Sequence, residues 1–196
     1  MKTKNDEKIK RCAWVGNDPL YIKYHDSEWG IPVIDDGKLF EFLVLETFQA
    51  GLSWLTILKR RENFRKAFDN FDYKKIALFN DGKYEELLQN EGIIRNKLKI
   101  KATISNAREF IKIQNEFGSF SNYIWGFVNY KPIVNKFKKI DEIPAKTELS
   151  EKISKDLKKR EFKFVGPTVI YAHMQATGMV NDHTIDCFRY DEINKM

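Results

Sequence analysis

The stretch Leu87-Leu88-Gln89-Asn90-Glu91-Gly92-Ile93-Ile94-Arg95-Asn96-Lys97 decides how this chain is read. Two apolar-periodic segments, residues 84–90 and about 96–117, meet across a break too short for anything but a tight turn. Gly92 permits a positive φ there, and Asn96 is placed to cap the second helix. A helix that starts this way presents free backbone amides and the positive end of its dipole. Arg95, Lys97, Lys99 and Lys101 surround that end. Together they can hold a nucleic-acid phosphate. An ordinary αα-hairpin with a solvated basic face gives the same pattern. The familiar helix–hairpin–helix motif also has a second glycine where Ile94 stands here. Both readings stay open at this point.

Helical periodicity continues on both sides. Asp36 is placed to cap a helix over about 38–50 that Gly51 ends. A second helix runs from Ser53 toward Phe68, with Leu55, Leu58, Phe64 and Phe68 facing inward. Residues 150–159 form another, and Pro167 suits the first turn of one ending at Gly178. Only residues 128–137 read as extended. The expected class is all-α. At 196 residues the chain can bury a real core as a single unit, here expected over 12–196 after a loosely ordered extension at 1–11. Within that unit the hairpin covers about 83–117, and terminal segments 12–36 and 165–190 come together. No apolar run resembles a signal peptide or a membrane span, so a cytoplasmic monomer without a membrane partner is expected. A net charge of +6 tilts the chain modestly toward polyanions, and 14% aromatic residues suit stacking on bases, though most rings must be core.

Both cysteines and two of the three histidines lie near the ends. Twelve residues separate Cys12 from His25, and three separate His183 from Cys187. Four soft donors paired this way point to one Cys2His2 zinc site that ties the termini together. On a helix, His183 and Cys187 would share a face. The alternative is two buried free cysteines and two unrelated histidines. Just two cysteines make no disulfide framework and favour a reducing compartment.

Residues 39–48 are apolar nearly all round, which marks a buried helix. Glu41 can lie at its edge. Glu46, flanked by Val44, Leu45 and Phe48, is either on a narrow exposed stripe or a buried carboxylate and hence a site candidate. After it come Gly51, which lets backbone approach closely, Leu52, a possible wedge, and Trp54, a stacking ring. Trp14, Tyr21 and Tyr24 lie between the first two metal donors, with Trp29 after them. These rings either line a pocket for a flat purine or plug the core beneath a loop.

Taken in order, Cys12-Ala13-Trp14-Val15, Asp18-Pro19-Leu20-Tyr21-Ile22, Tyr24-His25-Asp26, Glu28-Trp29-Gly30, Gln49-Ala50-Gly51-Leu52-Ser53-Trp54, Lys59-Arg60-Arg61-Glu62-Asn63, Gly92-Ile93-Ile94-Arg95, Phe162-Lys163-Phe164-Val165-Gly166 and Val180-Asn181-Asp182-His183 span nearly the whole chain. In these segments the chain closely resembles the bacterial 3-methyladenine DNA glycosylase I family. The resemblance implies a helix–hairpin–helix glycosylase fold and a structural zinc on Cys12, His25, His183 and Cys187. It implies an N-glycosyl hydrolase that flips 3-methyladenine out of double-stranded DNA and releases it without strand cleavage. Glu46 and Tyr24 then act on the base, Trp14, Tyr21 and Trp54 bind it, and Gly51, Leu52, Gly92, Arg95 and Lys97 meet the DNA. The aspartate that many helix–hairpin–helix glycosylases carry after the hairpin is absent here. Thr47, Phe48 and Pro167 depart from the family pattern beside the expected pocket. Two rival classes are a zinc-stapled damage binder without catalysis and a zinc hydrolase, the latter disfavoured because four protein ligands leave no open metal position.

Overall fold

The structure is a computed structural model and describes residues 9–196. Residues 1–8 of the expected extension lie outside the described residues. Ten α-helices make up most of it: α1 (Pro19–Ser27), α2 (Asp36–Gln49), α3 (Trp54–Ala67), α4 (Tyr73–Ile76), α5 (Asp81–Gln89), α6 (Lys97–Phe117), α7 (Phe120–Gly126), α8 (Glu148–Lys159), α9 (Pro167–Ala176) and α10 (Phe188–Ile193). Two short strands, β1 (Ile133–Val134) and β2 (Val180–Asn181), pair in parallel with Ile133 opposite Val180. β1 falls inside the segment expected to be extended, and β2 has no alternating pattern that would reveal it. No described helix is long and apolar enough to cross a membrane.

Helix α2 is the axis of the fold. Every residue from Leu39 to Phe48 is buried, as an all-round apolar helix must be. Helices α3, α6, α7 and α9 pack around it. The third histidine, His173 on α9, donates its Nε2–H to the Leu39 carbonyl at 3.1 Å. Burial pushes that imidazole down to about 4, so it stays neutral.

Several local expectations are corrected. The cap of α2 is Asp35, whose side chain accepts from the Lys38 amide and whose backbone is extended, as a cap requires. Asp36 instead accepts from the Phe120 and Ser121 amides at 2.9 and 2.8 Å, so it anchors the start of α7. Leu55 is only half-buried; the inward stripe of α3 runs through Trp54, Ile57, Leu58, Arg61 and Phe64. Glu41 is no edge residue. It is buried and held by Arg61 at 2.7 Å, Arg65 at 2.8 Å and Lys38 at 3.1 Å. Arg61 also reaches Glu28 at 2.8 Å, which pins the end of α1 to α3.

Helices α5 and α6 are joined by a short turn at residues 90–96. Asn96 caps α6 by accepting from the Leu98 and Lys99 amides, so two of the first amides of α6 are already satisfied. Gly92 is not at positive φ. A Cβ there would press on the Asn63 side chain of α3 at 3.0 Å, and Arg60 donates to the Glu91 carbonyl at 2.9 Å across the same contact. Arg95 and Lys97 are exposed beside the turn. Lys99 is buried and turned inward onto the Phe48 and Ala50 carbonyls, not exposed with Arg95 and Lys97.

Candidate functional site

The two ends of the chain meet in one cluster. Cys12, His25, His183 and Cys187 are all buried, and their donor atoms lie within 4.8 Å of one another. Cys12 Sγ and Cys187 Sγ each lie 3.5 Å from His183 Nδ1, and Cys187 Sγ lies 3.5 Å from His25 Nε2. Metal–sulfur and metal–nitrogen bonds of about 2.3 and 2.0 Å in a tetrahedron require sulfur–nitrogen edges of roughly this length. The outward ring nitrogens are also engaged. His25 Nδ1 is 2.8 Å from Asp26, which Arg11 clamps at 2.7 Å, and His183 Nε2 is 3.1 Å from the Trp29 carbonyl. Acceptors at these positions orient each imidazole with its other nitrogen toward the centre of the cluster. The four residues can therefore hold a metal ion that links the terminal segments. His183 and Cys187 do not share a helix face, contrary to expectation. His183 follows β2, and Cys187 caps α10 with its amide on the Thr184 carbonyl.

Two rings that pack on the cluster's imidazoles, Trp14 and Trp29, also line a cavity of about 260 Å³. Trp14 follows Cys12 in a short 3-10 turn, and its ring lies 5.2 Å from His25 and 4.9 Å from Trp29. Tyr21 and Tyr24 project from α1, which ends near His25. Tyr21 lies 4.9 Å from Trp14, and Tyr24 lies 5.3 Å from Trp54, ring centre to ring centre. Trp14, Tyr21, Tyr24, Trp54 and Glu46 all line this one cavity. The rings are both core-packed and cavity-lining, and Glu46 is 4% exposed. Burial alone pushes the Glu46 carboxyl up to about 8. The phenols of Tyr24 and Tyr21 are raised first by burial and then by the nearby Glu46 charge. A site of this kind favours a flat ring that is positively charged or rich in N–H donors.

None of Thr47, Phe48 and Pro167 lines the cavity. Phe48 turns into the core, 4.7 Å from Phe64, and Pro167 opens α9. At the cavity mouth, α2 gives way to Gly51, held at φ +87° with open space around the position of a Cβ. Within the protein its need for glycine is conformational. Leu52 stands 40% exposed on this turn. The hairpin residues Gly92, Arg95 and Lys97 are apart from the cavity lining.

Sequence reasoning passed over Gln175. It lines the cavity from α9, and its Nε2–H donates to Asp182 at 2.8 Å, beside the metal donor His183. Asp182 also accepts from Tyr171 at 2.6 Å and Asn135 at 2.6 Å. The signal was present: a lone amide in the apolar run Ile170-Tyr171-Ala172-His173-Met174-Gln175-Ala176 is the same anomaly as Glu46 in α2.

Comparison with known proteins agrees with this geometry. Residues 14–190 match the family model described as methyladenine glycosylase. The chain is 50% identical over 182 residues to DNA-3-methyladenine glycosylase 1 of Escherichia coli K12, covering 93% of this chain and 97% of that protein. A crystal structure of 3-methyladenine DNA glycosylase I superposes with a TM-score of 0.89 at 51% identity, over 91% of this chain and 98% of that one. A structure of the Staphylococcus aureus enzyme, solved for its recognition of 3-methyladenine, gives a TM-score of 0.89 at 36% identity over 92% and 96% of the two chains. This chain belongs to the methyladenine glycosylase family.

Proposed function

We propose that this protein is a monofunctional DNA glycosylase that flips 3-methyladenine out of double-stranded DNA and releases it by hydrolysis. One observation carries the reading: the carboxyl of Glu46 lies buried in a ring-lined cavity, its ionisation suppressed by burial alone. A neutral ligand leaves that penalty in place. A cationic base removes it, because an adjacent positive charge restores the carboxylate.

Methylation at N3 places a positive charge on the base within DNA and weakens its bond to the sugar. Extrusion from the duplex costs a few kcal/mol, less at a damaged pair. Leu52 enters the space left in the stack, and Arg95 and Lys97 hold the backbone phosphates near Gly92. In the cavity Trp54, Trp14 and Tyr21 pack against the base. Glu46 accepts hydrogen bonds from its amino edge, with Tyr24 beside it. The sugar–base bond then breaks with its electron pair going to the ring, which leaves as a neutral base. A water oxygen bonds to the sugar carbon, and its proton passes to solvent. No lysine lines the cavity among the described residues, so no imine to the sugar forms and the strand stays intact. Unmodified adenine is neutral and holds its bond firmly. A cation–π contribution of about 1–2 kcal/mol gives roughly tenfold discrimination, and bond lability with cavity shape supplies the rest.

The metal of the terminal cluster is zinc in a structural role, since two thiolates and two imidazoles suit it and leave no open position for water. The protein works as a cytoplasmic monomer, with residues 12–196 as one glycosylase unit whose helix–hairpin–helix is α5–α6. The test is incubation with N-methylated duplex DNA and chromatography of the released bases. Free 3-methyladenine with uncut strands is expected. Tight binding of methylated duplex without base release would make the protein a damage binder and overturn the enzyme reading.

A further inference from the structure

Lys99 belongs to the first turn of the second hairpin helix, yet its side chain is 6% exposed and points away from solvent. Its Nζ donates to the Phe48 carbonyl at 3.0 Å and to the Ala50 carbonyl at 2.7 Å. Ala50 is the C-cap of α2, so these are the carbonyls that a helix end leaves without amide partners. An ammonium there also meets the negative end of the α2 dipole. One residue further, Gly51 turns the chain, the Leu52 amide closes onto the Gln49 carbonyl at 2.6 Å, and the Leu52 side chain stands in solvent. Desolvation alone lowers the Lys99 ammonium, and no carboxylate contributes to offset it. Burying a cation is costly unless it is hydrogen-bonded, and here the two carbonyls and the α2 dipole are its partners. The charge therefore fixes the end of α2 and the turn that follows it.

We propose that Lys99 is a positioning residue that locks the Gly51–Leu52 turn to the α5–α6 hairpin. The element expected to grip the DNA backbone and the element expected to enter the stack then move as one body. Leu52 meets the duplex at a fixed offset from the held phosphates. This rests on the glycosylase reading above.

Lys99→Met keeps the length and apolar stem of the side chain and removes the charge and its donors. Release of 3-methyladenine from methylated duplex is measured as kcat/KM, alongside affinity for free 3-methyladenine, bound metal, and hydrogen exchange of the Gly51 and Leu52 amides. A misplaced turn is expected to lower kcat/KM by roughly 100-fold and to speed exchange at those two amides. Affinity for the free base and metal content should stay as in wild type. Lys99→Arg, which keeps a charged donor, should recover most of the loss. Unchanged base release overturns the proposal. So does an equal loss of free-base affinity, which would make Lys99 part of the pocket, or general unfolding with loss of metal, which would make it a determinant of the whole fold. An Arg variant no better than Met overturns it too. A wild-type protein that releases no base sinks the glycosylase reading itself, and this proposal with it, before any variant is compared.

Discussion

The Trp29 carbonyl lies 3.1 Å from His183 Nε2, and the Trp29 ring packs edge-on 4.6 Å from the same imidazole. One residue of the cavity wall is thereby the outer partner of a metal donor from the far end of the chain. Removing the metal is expected to loosen the cavity as well as the termini. His183→Ala should lose the metal and several kcal/mol of stability, which for a chain of this size lowers Tm by about 10 °C or more. Affinity for free 3-methyladenine should fall with it. Calorimetry and metal analysis check this. A variant that keeps its Tm and metal would break the assignment of His183.

The raised Glu46 carboxyl makes a pH prediction with a definite sign. Its folded value, about 8, lies above the ordinary value of 4.5. The folded state holds the proton that the unfolded state gives up between these two values. Stability from this group is thus fully present below pH 4.5 and is lost as pH rises through 8. Glu46→Gln removes the effect. Denaturant unfolding of both proteins from pH 5 to 9 should show the Gln variant gaining on wild type by a few kcal/mol across the window. A constant difference would mean that Glu46 ionises normally in the folded protein.

Contacts of the hairpin with DNA should be electrostatic. Arg95→Glu or Lys97→Glu should weaken binding to every duplex alike, and removing one phosphate contact should reduce the slope of log affinity against log salt by about 1. Titrations at several salt concentrations read this directly. A variant with wild-type affinity and slope would move the phosphate contact elsewhere on the protein.

How much of this was legible depends on where each partner lies. The metal cluster could be read because soft donors are scarce in this chain and occur in pairs at its ends, so their chemistry needs no knowledge of the fold. The way they meet could not be read. Helical spacing put His183 and Cys187 on one face, whereas a strand end and a helix cap bring them together. Glu46 was legible as an anomaly of composition within one helix. Lys99 was misread as a surface cation because its acceptors, the Phe48 and Ala50 carbonyls, lie 51 and 49 positions away. No local pattern announces such a contact. Asp35 and Asp36 illustrate the same limit at short range. Either could cap α2, and the choice was settled by α7 docking its first amides onto Asp36.

Glu46 is where the proposed chemistry is most exposed to test. Glu46→Ala removes the acceptor but leaves the rings and the intrinsic lability of the cationic base. Loss of a charge-assisted hydrogen bond of about 1.5–3 kcal/mol predicts free 3-methyladenine binding weaker by roughly 10- to 100-fold. Excision from methylated DNA should slow without vanishing, because the leaving group departs readily once it is flipped and enclosed. The fold and metal should persist, since burial of this carboxyl costs stability in the absence of ligand. Glu46→Gln should fall between, as its amide oxygen still accepts one hydrogen bond but carries no charge to match the cation. The measurement is titration of 3-methyladenine followed by tryptophan fluorescence, with Trp14, Trp29 and Trp54 all lining the cavity as reporters. Wild-type affinity in Glu46→Ala would place base recognition outside this cavity, and the mechanism would fall with it.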